Sequence, residues 1–99
     1  MAHADLKQLR ERAWIGDSVL ELYARQWVLG QGGEINAELK TRFTRNSFLN
    51  CLGNPTEMEA RIGDVFLAEG LEAANAWIHE HIEPLFLKQE GKRARHRKP

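Results

Sequence analysis

Cysteine is nearly missing from this chain. Cys51 stands alone, which excludes an internal disulfide framework and suits a reducing, cytoplasmic setting. The expected role for its thiol is that of a small apolar group buried on a helix. Long apolar runs are missing too. No stretch of about 18 consecutive apolar residues occurs, so no membrane-spanning helix and no membrane partner are expected. The first residues lack the basic, apolar and small-residue succession of a secretory leader, which again points to the cytoplasm. No segment alternates polar and apolar residues long enough for a half-buried strand. Glycine-rich phosphate loops, nucleophile elbows and Cys/His pairs with catalytic logic are all absent. His79 and His81, two residues apart on a helix, point to different sides and make a poor zinc pair.

The zero net charge conceals a sharp division. Residues 1–87 hold 8 Lys/Arg against 13 Asp/Glu, whereas residues 88–99 hold 6 Lys/Arg and a single acid, Glu90. The chain therefore divides into an acidic body, 1–87, and a basic tail, 88–99. Such a tail is expected to be disordered when free and either to serve as a solubilising end or to seek the phosphates of a nucleic acid, with Lys92, Arg93, Arg95, Arg97 and Lys98 as its contacts. A body of this size has one small core, and burial against a second copy would stabilise it.

Hydrophobic spacing predicts an all-helical domain. Leu6, Leu9, Ala13, Gly16, Leu20, Tyr23 and Trp27 recur at steps of three and four and form one stripe on a helix over 5–29. Ile15, Val19 and Leu22 widen the stripe, and Gly30, Gly32 and Gly33 are expected to end the helix. A second helical region spans 36–52, with Asn46-Ser47 able to cap a new helix inside it. Gly53-Asn54-Pro55 breaks the chain, with Asn54 as the next N-cap and Pro55 at the first helical position. That helix stops near Gly70. A last helix follows over 71–87, which Pro84 kinks or ends early.

One carboxylate stands out. Asp17 lies in the apolar run Ala13-Trp14-Ile15-Gly16-Asp17-Ser18-Val19-Leu20, where an isolated charge is costly unless paired, protonated or bound to a cation. The run is echoed by Ala60-Arg61-Ile62-Gly63-Asp64, which suggests two helices crossing closely at their glycines. Such a crossing brings Asp17 near Glu59 or Asp64. Two bare carboxylates about 4 Å apart repel by roughly 4 kcal/mol at an effective dielectric near 20, and a hard divalent cation reverses that sign. Oxygen-only ligands point to Mg²⁺ or Mn²⁺. Glu21, one turn beyond Asp17, and Asp64 are either partners that orient outer waters or ordinary ion-paired surface groups. Trp14, Trp27 and Trp77 are core or interface aromatics.

Two segments resemble a known family. Ile15-Gly16-Asp17-Ser18-Val19-Leu20-Glu21 is similar to the hallmark helix of the ribonuclease III domain. Glu59-Ala60-Arg61-Ile62-Gly63, followed by Gly70-Leu71-Glu72-Ala73-Ala74, resembles that domain's second motif. The resemblance covers about residues 9–82. Ala13 and Thr56 stand where full-length members carry two further acids, and both departures resemble the Mini-III subgroup, as does Glu21-Leu22-Tyr23-Ala24-Arg25. Leu52-Gly53-Asn54-Pro55 replaces a stretch of helix and a basic loop that the subgroup uses to hold RNA. The resemblance implies a compact helical endonuclease fold, a two-fold homodimer with Trp14 docking into the partner, and Mg²⁺ held by Asp17 and Glu59. It implies cleavage of double-stranded or structured RNA, such as a ribosomal RNA precursor, by attack of an activated water on the phosphodiester. The alternatives are a reduced RNA-binding or scaffold relative without turnover, and a helical protein-interaction module.

Overall fold

The computed structural model describes residues 3–96. Six helices follow one another: α1 (His3–Gly32), α2 (Ala37–Thr44), α3 (Asn46–Leu49), α4 (Pro55–Glu69), α5 (Leu71–His81) and α6 (Glu83–His96). There is no strand among the described residues, as the spacing predicts.

Local chemistry accounts for most of the boundaries. The Asn54 side chain accepts from the Glu57 N–H at 3.0 Å, with Pro55 at the first helical position, as the cap signal requires. Asn36 caps α2 in the same manner through the Leu39 N–H. α1 runs further than its spacing suggests. It passes through Gly30 and ends only where Gly33 turns left-handed (φ 73°), with the Gly33 N–H bonded to the Leu29 carbonyl.

The region 36–52 divides in two. Arg45 is extended between α2 and α3 and takes the cap position itself, so Asn46 and Ser47 lie inside α3 instead of capping it. Cys51 is exposed in the turn after α3, contrary to its expected burial. Phe48 and Leu49 take the inward positions of that short helix. Pro84 ends α5 early, as one of the two expectations had it: the break falls at Ile82, and Pro84 sits in the first turn of α6, where a missing N–H does no harm.

The largest departure concerns the tail. Residues 88–96 continue α6 and do not form a disordered segment beyond 87. Lys, Gln, Glu, Arg and Ala are good helix formers, and Glu90 gains a partner on α2.

Two contacts organise the interior. α1 lies along α4 in the most extensive helix pair of the fold. Around the other end of α1, an aromatic cluster joins four helices, with the Phe43 and Phe86 rings 4.5 Å apart and Trp27 edge-on to Phe86 at 5.3 Å. Leu20, Leu49, Ile62, Ile78 and Ile82 complete the fully buried layer.

Candidate metal centre

The crossing of α1 and α4 is built from main chain. A β-carbon on Gly16 would fall on the Glu59 carbonyl, and one on Gly63 would fall on the Arg12 carbonyl. Only glycine at both positions lets the backbones approach so closely. The Ala-x-Ile-Gly-Asp echo thus marks a real juncture.

That approach brings together two carboxyl groups from distant parts of the sequence. Asp17 follows Gly16 on α1, and Glu59 sits one turn before Gly63 on α4; their side chains are in hydrogen-bonding contact. Burial, then the hydrogen bond and negative charge of Asp17, push the Glu59 carboxyl up to about 8. Burial and the neighbouring Asp17 thus favour the protonated form of the Glu59 carboxyl. Of the two partners open to Asp17 in the sequence, the geometry selects Glu59.

Asp64 is engaged elsewhere, its Oδ1 lying 2.8 Å from Arg12 Nε. Glu21 is likewise occupied: Lys40 Nζ donates to Oε1 at 3.1 Å and Arg25 to Oε2 at 3.2 Å. Burial pushes the Glu21 carboxyl up, but the hydrogen bonds and charges of Lys40 and Arg25 outweigh it and hold the group below the usual range. Both acids are thus ion-paired in the structure.

The donor set fits one hard cation. Two adjacent carboxyl groups offer oxygen ligands of the kind that Mg²⁺ or Mn²⁺ would take. Among the described residues, no cluster of three or more His, Cys, Asp or Glu forms, so the pair stands without a third protein carboxylate. Ala13, buried one turn before Asp17, and Thr56, half-buried one turn before Glu59, add no acid.

Near the pair, α1 exposes an apolar face. Trp14 is 79% exposed and lines, with Val19, Leu22, Phe66 and Leu71, a shallow groove of about 460 Å³. Trp27 and Trp77, by contrast, pack against the core. Of the tail residues singled out, Lys92 and Arg93 are exposed on α6, with Arg93 3.7 Å from Glu38. Arg95 lies within the same helix; Arg97 and Lys98 fall outside the described residues.

Two polar clusters had no counterpart in the sequence reading. The buried Glu83 carboxylate accepts a hydrogen bond from the Tyr23 hydroxyl, while its other oxygen lies 3.4 Å from His79 Nδ1. Burial, reinforced by the Glu83 bond and charge, raises the Tyr23 pKa well above its ordinary value. The spacing His79-x-x-x-Glu83 was the one local signal for it. The second cluster is a fork from Arg42 to Glu90, with Nε on Oε2 at 3.0 Å and the terminal nitrogen on Oε1 at 2.9 Å.

No protein-family model, curated protein or solved structure matches this chain.

Proposed function

We propose that this chain is a divalent-metal-dependent endoribonuclease acting on double-stranded RNA as a two-fold homodimer. The observation that carries the reading is the convergence of Asp17 and Glu59 across the Gly16–Gly63 crossing. The motif resemblance names the same two residues independently. A bound Mg²⁺ or Mn²⁺ ion would supply an activated water and neutralise charge on the phosphodiester. Glu59 would have to lose its proton for both carboxylates to hold the ion, so cation binding is expected to strengthen as pH rises. Asp17 is the more exposed partner and Glu59 the more buried, and together they would hold the ion.

Support for the dimer comes from the apolar face around Trp14, which a second copy of this chain would cover. Two such sites, one per protomer, suit the two strands of a duplex. A structured ribosomal RNA precursor is the substrate class that the resemblance suggests, and the cytoplasm its setting. A second reading is favoured by Ala13 and Thr56, which leave the pair without a third acid: an RNA-binding scaffold that keeps the dimer and not the turnover.

The test is incubation of long duplex RNA with and without Mg²⁺, comparing the parent with Asp17→Asn and Glu59→Gln. Metal-dependent cutting by the parent, lost in both variants, is the expected result. Binding without cutting in the parent would replace the nuclease by the scaffold.

A further inference from the structure

The C-terminal helix has two chemically distinct faces. Phe86, Glu90 and Arg93, spaced at i, i+4 and i+7, look towards the body. Phe86 is buried in the aromatic cluster, Glu90 takes the fork from Arg42, and Arg93 approaches Glu38. Lys88 and Lys92 are offset from that stripe by two residues, about 200° around the helix. Both are exposed, and no acid stands beside them on that stripe. They lie about 6 Å apart along the helix axis, and Arg95 follows at the next step in the sequence.

How α6 is held matters as much as what it displays. It follows α5 directly after Ile82, and its hold on α1, α2 and α3 comes from side chains: the Phe86 ring and, one turn further on, the Arg42–Glu90 fork. The Arg42 side chain is only 13% exposed and also donates to Glu38, which helps to fix it where it meets Glu90. The fork lowers α6's freedom to roll, and rolling would turn the lysine stripe inward.

We infer that α6 is a docking helix for the phosphate backbone of duplex RNA, with Lys88 and Lys92 making the contacts and Arg42–Glu90 setting their register. The inference rests on the nucleic-acid reading above and deepens it by naming the surface. It also revises the tail's expected role: Lys88 joins the contact set, and Arg93 belongs to the body-facing stripe. Glu90 and Arg42 are positioning residues.

The test uses full-length protein carrying Asp17→Asn, without metal, and a short fluorescent RNA duplex followed by anisotropy between about 50 and 200 mM salt. Lys88→Gln/Lys92→Gln is expected to lower the slope of log affinity against log salt by about two and to weaken binding roughly tenfold or more. Glu90→Gln discriminates position from charge. It makes the chain more positive, so simple attraction predicts tighter binding, whereas a lost register predicts binding weaker by several-fold with helix content retained. Arg93→Gln is expected to change little. An unchanged salt slope in the lysine variant, or tighter binding by a folded Glu90→Gln, overturns the inference. So does loss of binding to phosphatidylserine vesicles in the lysine variant with RNA affinity intact, which would make the stripe a lipid surface. Lack of cleavage by the parent, with RNA binding still dependent on the two lysines, would remove the nuclease and leave the docking helix standing.

Discussion

Arg12 and Glu59 occupy equivalent places at the α1–α4 crossing: each stands one turn before a glycine, and each presents its carbonyl to the glycine of the other helix. The residue after each glycine is an aspartate. The crossing therefore generates two similar pairings, Glu59 with Asp17 and Arg12 with Asp64. One is acid on acid and suits a cation. Its twin is neutralised internally by a guanidinium. A single side chain decides which end of the juncture is acidic.

Arg12→Glu should consequently create a second acidic pair with Asp64. If the proposed site holds one Mn²⁺ per chain, the number bound, counted by electron paramagnetic resonance at pH 8, is expected to rise to two. Adding Asp17→Asn should return it to one. A count that stays at one in Arg12→Glu would show that the twin lacks the geometry of the original.

Metal-free stability should fall as pH rises. Glu59 in the folded chain titrates near 8, above its unfolded value of 4.5. The folded state therefore binds the extra proton, and the associated stabilisation, full below about pH 4.5, is lost as pH climbs through about 8. Melting temperature in a chelator should decline over this window, and Glu59→Gln should flatten the decline. Excess Mg²⁺ should offset it most at the alkaline end. A flat parent profile in the chelator would contradict the raised pKa of Glu59.

Gly16→Ala is expected to be severely destabilising, by roughly 3 kcal/mol or more, because the added methyl meets main-chain atoms that cannot rotate away. Gly30→Ala serves as the control. It lies within the same helix, nothing stands near its Cα, and it should gain about 0.5–1 kcal/mol. Urea denaturation of both variants measures the contrast. Comparable stabilities would mean that the helices do not touch at this point.

Trp14→Ala should dissociate the proposed dimer with little loss of helix content, since the indole contributes almost nothing to the core of its own chain. Sedimentation equilibrium beside circular dichroism separates the two effects. A dimer that survives the substitution would place the interface elsewhere.

The sequence was most informative where structure is decided locally. The Asn54-Pro55 cap, the stop at Gly70 and the paired Ile-Gly-Asp runs each carry their geometry within a few residues. Pairings across long separations left no such trace. Arg42 and Glu90 are 48 residues apart, and Tyr23 and Glu83 are 60 apart, so no local pattern announces either. The tail shows a different failure. Its charge run suggests a solvated coil, yet residues of good helical propensity attached to a docked Phe86 simply prolong the helix. Cys51 was misplaced because α3 is only one turn long, too short for periodicity to tell inside from outside.

The Gly16–Gly63 contact also governs how the chain can vary. Side chains in a core shift and repack when a neighbour changes, and sites resting on them drift accordingly. Here the separation of the two backbones that carry the acids is dictated by peptide groups in mutual contact, with no side-chain layer between them to absorb an adjustment. Substitution elsewhere can raise or lower stability, but it should leave this gap unaltered until the helices part altogether.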